Sequence, residues 1–323
     1  MDKNNIDDIA RAIASLNVWG NASKYNWALD SELFDNPLIA CVNVPPNSPI
    51  VGRLMLFNGF IAYRDFVILS QNQDMSFAFS PIDIDHFEVL VFKNGNVEIL
   101  DYRPGFAPIH PDDETRSRLA PVLYECYGLM MRIEDDPDIP AMYKKQEAMF
   151  SRKESLDGKW HDAPMKLPDM NTMTWTERVG LDRMKCEQAT KFEMVQGETW
   201  EIDFIQIPML HTKDQRARIT YLLAAVDSLT GERYVWDKLA VDPQIPRCGT
   251  LDALKLLWES LASRLLEGVL KRGKIPSEIH VRTQKMMRFL RPLGMQIPFK
   301  LVLHHQLPRL TTTVNSALIN RSV

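Results

Sequence analysis

The chain has 323 residues, which at roughly 150 residues per domain amounts to two domains, each long enough to bury its own core. Hydrophobic residues make up 45% and charged residues 25%, which excludes disordered, collagen-like and disulfide-scaffold classes. The net charge of −4 is unevenly placed: residues 1–199 hold 20 Lys/Arg against 31 Asp/Glu, residues 200–323 hold 18 against 11. An acidic half precedes a basic one. The basic half is therefore expected either to meet nucleic acid or another anionic partner, or to dock on the acidic half of the same chain.

Cys41, Cys126, Cys186 and Cys248 form no C-x-x-C pair, so buried thiols are expected, with neither a zinc ribbon nor a redox motif. The first residues, Met1-Asp2-Lys3-Asn4-Asn5, lack the pattern of a secretory signal, and no run of about 18 apolar residues suggests a membrane span. A cytoplasmic protein without membrane contact is expected.

Taken in chain order, Ile6, Ile9, Ala10, Ile13 and Ala14 fall at helical spacing behind Asp7 and Asp8. Leu38 to Val44 reads as a strand. The apolar stretch Gly52 to Leu69 is broken by Asn58-Gly59, which fits a strand followed by a helix or a hairpin. Phe87 to Phe92 and Val97 to Leu100 flank Asn94-Gly95 as a hairpin. Asp112, Asp113 and Glu114 open a helix from about 112 to 131 that closes an acidic α+β domain over residues 1–131. Residues 132–179, with Glu134-Asp135-Asp136-Pro137-Asp138 and several prolines, read as a linker. A short helix around Pro140 to Arg152 interrupts it, with Met142, Gln146 and Met149 on one face.

Residues 180–323 form a second, basic domain. A helical segment, Leu181 to Phe192, precedes the alternating run Trp200 to Ile207, then the near-continuous apolar run Ile219 to Val226, which has the character of a central strand. Ser228-Leu229-Thr230-Gly231 turns into a third strand, Glu232 to Leu239. Leu254, Leu257, Trp258, Leu261, Leu265 and Val269 mark a long helix, with Gly273 just past its end. Ile279-His280-Val281, Thr283 to Leu290, Pro298 to Leu303 and Leu307 to Ile319 complete the order β-β-β-α-β-α-β, a mixed-sheet α/β domain.

This order resembles the ribonuclease H-like fold of integrases and transposases. Trp200-Glu201-Ile202-Asp203-Phe204 and Val226-Asp227-Ser228-Leu229-Thr230-Gly231 resemble that family's first-strand W-x-x-D and its V-D-x-x-[ST]-G turn. The resemblance implies that Asp203 is the first metal carboxylate, while Asp227 and Gly231 serve the turn. Such nucleases hold two Mg²⁺ or Mn²⁺ ions on three carboxylates, to stabilise both the attacking and the leaving oxygen. At the end of the fourth strand, where the second carboxylate belongs, the chain reads His280-Val281-Arg282-Thr283. The site is therefore read as degenerate. Glu259 on the long helix is a candidate for the helix carboxylate position of ribonuclease H. A metal-dependent nuclease or strand-transfer enzyme using Asp203 and Glu259 is the alternative, and only that reading calls for Mg²⁺ or Mn²⁺; otherwise no cofactor is expected.

Gly52 to Tyr63, Arg103-Pro104-Gly105-Phe106-Ala107-Pro108, the Trp200 to Gly231 segments and Gly273-Lys274-Ile275-Pro276 also resemble a two-domain family of uncharacterised bacterial proteins, which implies no activity. The leading expectation is a non-catalytic binding or interaction protein.

Eight basic residues lie between Arg264 and Arg291: Arg264, Lys271, Arg272, Lys274, Arg282, Lys285, Arg288 and Arg291. They are candidates for nucleic-acid or anion binding. Phe289 is the sole aromatic among them, so base stacking has no support there. Gly268 to Ile275 nearly spells a phosphate loop, but Ile275 replaces the required hydroxyl and the segment ends a helix. Asp83, Asp85, His86 and Glu88 read as the solvated start of a strand, and of His304-His305 one ring is expected buried and one exposed.

Overall fold

In the computed structural model of the chain, the residues described are 2, 4–71, 84–136, 148–168, 179–211, 216–244 and 252–319. Two units emerge. The first comprises Met1–Ile68, Pro81–Pro104 and Pro108–Thr174; the second is built mainly of Trp175–Val323 and includes Gly105–Ala107.

Unit 1 is a seven-stranded mixed sheet in the order β5-β4-β3-β2-β1-β6-β7. Its strands are β1 (Asn26–Asp30), β2 (Leu38–Asn43), β3 (Ile50–Asn58), β4 (His86–Phe92), β5 (Val97–Tyr102), β6 (Ala148–Glu154) and β7 (Trp160–Lys166). Helix α1 (Ile6–Ala14) starts at Asn5, whose side chain accepts from the N–H groups of Asp7 and Asp8. Short α2 (Trp19–Ala22) follows it, and α4 (Asp113–Asp135) starts at Asp112, capped on Thr115. Ile9 and Ile13 of α1 and Leu119, Leu123, Cys126 and Met130 of α4 bury one face of the sheet through Leu38, Leu54, Phe87 and Val89. Alternation puts Phe57 on the other face. There it meets Phe66 and Tyr63 of α3 (Gly59–Gln71), with ring centroids 4.7 and 6.0 Å away. Asn58-Gly59 is thus a strand-to-helix junction, with Gly59 at φ +85°.

Three expectations change here. Residues expected in a linker form β6 and β7, because β6 pairs in parallel with β1 (Trp27 opposite Phe150) and β7 pairs antiparallel with β6. The helix expected around Pro140 to Arg152 gives way to strand over 148–152, where Phe150 enters the core; residues 137–147 lie outside the described residues. Asp85, His86 and Glu88, expected in solvent, are buried; Asp83 lies outside the described residues. Asp85 accepts from Asn58 Nδ2 at 2.8 Å, and His86 stacks on Tyr102 with centroids 4.3 Å apart, which gives their polar atoms and rings partners inside the fold.

Asp162 of β7 receives both terminal nitrogens of Arg132, at 2.9 and 2.7 Å, and Nη1 of Arg152 at 2.6 Å. The Arg132 hydrogen bonds, ahead of those of Arg152, hold its carboxyl below the usual carboxylate value. A depressed folded-state value makes this contribution present above about pH 4 and lost as pH falls through the folded value. Asp162→Asn is expected to cost about 1 kcal/mol at pH 7, and the gap between the urea midpoints of parent and variant should close at pH 3. An unchanged gap would remove this network from the account of stability.

Unit 2 contains α5 (Arg183–Ala189), then β8 (Met194–His211), β9 (Arg218–Asp227), β10 (Arg233–Leu239), α6 (Asp252–Arg272), β11 (Ile275–Val281), α7 (Gln284–Gly294), β12 (Lys300–Leu303) and α8 (Pro308–Ile319). The order from β8 to β12 is the β-β-β-α-β-α-β order of the sequence. The sheet order is β10-β9-β8-β11-β12: β8, β9 and β10 form an antiparallel meander, while β11 joins β8, and β12 joins β11, in parallel. The sheet is therefore mixed and carries helices on both faces. On one face Phe204 of β8 meets Trp258 of α6, which meets Phe289 of α7. On the other, Ile207, Leu222, Ala224 and Val226 pack against Leu310 and Val314 of α8. No described helix is long and apolar enough to cross a membrane.

Candidate functional site

The site singled out by sequence lies where β8 and β11 run side by side. Val281 pairs with Ile202, so the next residues along, Arg282 and Asp203, project from the same face of the sheet. Arg282 Nε stands 2.8 Å from Asp203 Oδ2. Asp203 is only 3% exposed and also accepts the Phe204 backbone N–H at 2.9 Å. Burial pushes its carboxyl above the usual value, against the pull of the Arg282 charge and the Phe204 hydrogen bond. Arg282 reaches on to α8, donating from Nη2 to Thr311 Oγ1 at 3.3 Å.

Two residues before Asp203 on the same face, Glu201 is 5% exposed, and its Oε2 accepts the backbone N–H of Leu310 at 2.7 Å. A buried carboxylate of the central strand thus caps the N-terminus of α8, satisfying an N–H that no intrahelical carbonyl reaches. Sequence reading passed over Glu201. Its signal was there in the alternation Glu201-Ile202-Asp203, two acids two residues apart on a strand. Removing this cap by Glu201→Ala should cost about 1 to 2 kcal/mol, with protection of α8 amides from hydrogen exchange falling more than that of α6 amides. Equal losses in the two helices would mean that Glu201 does not act through α8.

Glu259 does not join this group. Its helix, α6, packs through Trp258 on Phe204, while Asp203, the adjacent residue of the strand, points to the opposite face, toward α8. Helix α8, which lies on the Asp203 side, carries no acidic residue at all, reading PRLTTTVNSALI. Among the described residues no group of three or more His, Cys, Asp or Glu is placed to hold a metal ion.

The Asp227 side chain organises the turn after β9. Its Oδ1 accepts from Leu229 N, Thr230 N and Thr230 Oγ1 at 3.0, 2.7 and 2.9 Å, and Gly231, at φ +76°, closes the turn on the Asp227 carbonyl. Desolvation raises the Asp227 carboxyl, but these hydrogen bonds outweigh it and leave the value lowered. Trp200 sits directly opposite Asp227 in the ladder, so the two sequence motifs form one structural corner.

The basic stretch divides. Arg264 pairs with Asp237 at 3.3 Å, and Arg272 with Glu198 at 2.8 Å while stacking over Tyr234. Arg282 holds Asp203. Lys285 is 7% exposed, with Nζ 3.8 Å from the centre of the Trp258 ring. At least four of the eight cations are thus engaged within unit 2 itself; the side chains of Lys271, Lys274, Arg288 and Arg291 are exposed. His304 and His305 are both exposed, so the expectation of one buried ring is corrected; the chain has left β12 at Leu303 before it reaches them. His304 stacks on His280, with centroids 5.2 Å apart and planes within 5°.

A family described as Domain of unknown function (DUF6930) matches residues 185–317. The matched region runs from α5 into α8 and so takes in Glu201, Asp203 and Arg282. No curated protein and no solved structure matches the chain.

Proposed function

We propose that unit 2 is a non-catalytic, ribonuclease H-like binding domain, and that the chain acts by holding a partner. The observation that carries this reading is the Arg282 guanidinium beside Asp203, at the strand end where an integrase-type nuclease needs its second metal carboxylate. A two-metal centre gathers negative groups around two dications. A guanidinium at the same point repels those ions and occupies the one carboxylate of the pair that would bind them. The antiparallel meander followed by two parallel strands, with helices on both faces, supports the ribonuclease H-like assignment of the fold. Two described thiols, Cys126 and Cys186, are buried and Cys41 is half-buried, all three unbridged, which suits a reducing cytoplasm.

A protein partner is favoured over nucleic acid, because at least four of the eight cations that would contact phosphates are committed within the unit. Incubating the chain and Asp203→Asn with single- and double-stranded nucleic acid, with Mg²⁺ or Mn²⁺, should give cleavage by neither. Metal-dependent cleavage by the parent that disappears in Asp203→Asn would overturn the reading and restore the enzyme.

A further inference from the structure

The seven-stranded sheet of unit 1 ends on β5, and the outer edge of that strand is only partly used. Glu98 and Leu100 pair with Leu90 and Glu88 of β4, whereas Asp101 turns both backbone groups away from β4, donating to the Ile109 carbonyl at 2.7 Å and accepting the Ile109 N–H at 3.3 Å. Ladder bonds alternate along an antiparallel strand, so Val97 and Ile99 turn theirs outward as well. The chain thus begins a further strand on this edge and then abandons it. His110 donates from Nδ1 to the Ile99 carbonyl at 3.0 Å, and Pro111, which has no N–H, leads away into α4. The Ile99 N–H and both backbone groups of Val97 meet no partner among the described residues.

Along this open stretch runs a cleft of about 400 Å³, with Gly95 to Ile99 on one side and Asp7, Ala10 and Arg11 of α1 on the other. A strand edge with open backbone groups beside a cleft is the geometry in which an extended peptide adds to a sheet. Alternation sends Val97 and Ile99 to the α1 side, where both pack with the core, and Glu98 to the opposite side. The helix charges are already balanced: Asp7 pairs with Arg116 at 2.6 Å and Arg11 with Asp8 at 2.5 Å. Glu98 is exposed and has no ion-pair partner among the described residues.

We propose that the outer edge of β5 binds an extended peptide of a partner protein as an added strand, with Lys or Arg opposite Glu98 and small apolar side chains flanking it on the Ala10 side. The backbone groups of Val97 and the Ile99 N–H supply the hydrogen bonds, and the opposite-charge pair across the strands supplies the preference. The inference goes beyond the reading of unit 2 and does not depend on it: metal-dependent cleavage would overturn that reading and leave this site standing.

The test uses the full chain and a labelled, end-blocked peptide, Thr-Val-Lys-Val-Thr, beside one with Glu in place of Lys and one N-methylated at both valines. Binding is read by fluorescence anisotropy, and its place by hydrogen exchange of residues 95–101. The Lys peptide is expected to bind saturably and to protect that segment, and the N-methylated peptide to bind about tenfold more weakly, for the hydrogen bond it lacks. Glu98→Lys, at an exposed position, should shift the preference between the two charged peptides about tenfold toward Glu. Val97→Pro removes an outward N–H and no bond to β4, and in a protein whose fold is checked by circular dichroism it should weaken the Lys peptide about tenfold. The absence of saturable binding, equal affinity for the N-methylated peptide, an unchanged preference in Glu98→Lys, or protection that spares residues 95–101 would each overturn the proposal. So would sedimentation showing a dimer whose residues 95–101 are protected before any peptide is added, which would assign the edge to a second copy of the chain.

Discussion

Replacing Arg282 with alanine is expected to destabilise unit 2 by about 3 to 5 kcal/mol, because it leaves the Asp203 carboxylate buried with no compensating charge. Asp203 is 3% exposed and its neighbour Glu201 5%, so two carboxylates two residues apart on one strand face would be left without the guanidinium between β8 and α8. Asp203→Asn should cost less, since an amide needs no counterion, and the double variant Asp203→Leu with Arg282→Met should recover most of the loss. Urea unfolding of the four proteins measures the cycle. If Arg282→Ala proved as stable as the parent, Asp203 would have to be neutral in the folded protein. The ion pair would then no longer carry the functional reading.

The second large effect lies in unit 1. A methyl group added at Gly52 of β3 would stand 2.2 to 2.7 Å from three atoms of the Trp19 indole, which is itself 5% exposed within the core. The ring is buried and interiors are close-packed, so Gly52→Ala is expected to cost about 2 to 4 kcal/mol, at or above the upper end for overpacking. Tryptophan fluorescence followed through urea unfolding should show an earlier midpoint, and Trp19→Leu should restore part of it. A Gly52→Ala protein with the parent's midpoint would mean that Trp19 can repack.

Much of unit 2 was legible because its signals are local. The run Ile219 to Val226 is apolar at nearly every position, as a strand covered on both faces must be, and Leu254 to Val269 keeps the helical period. The opposition of Asp203 and Arg282 followed from one strand motif and one departure from it at the end of β11. Residues 148–166 were not legible for the opposite reason. The strand β7 contains His161, Asp162, Pro164 and Lys166, a composition fit for an exposed edge, and its place is fixed by pairing with β6, which depends in turn on β1 more than a hundred residues earlier. Nothing in Asp85-His86-Phe87-Glu88 announces burial either; α3, packed through Phe66 on Phe57, determines what that side of the sheet meets. The Glu201 cap joins residues 109 positions apart, a separation at which spacing carries no information.

That separation bears on the order in which unit 2 can be assembled during synthesis. When β8 leaves the ribosome, Glu201 and Asp203 have neither the Leu310 N–H nor the Arg282 guanidinium, and both stay in water until those groups have been made. The meander β8–β9–β10 can pair early, but its face toward α8, with Leu222, Ala224 and Val226, stays uncovered until residues 308–319 arrive. A nascent chain stalled before that point would present apolar surface beside two unmatched charges, the kind of intermediate that chaperones bind and proteases cut. Of the elements of unit 2, α8 comes last in chain order, so its arrival is also the step that commits the domain to its native state.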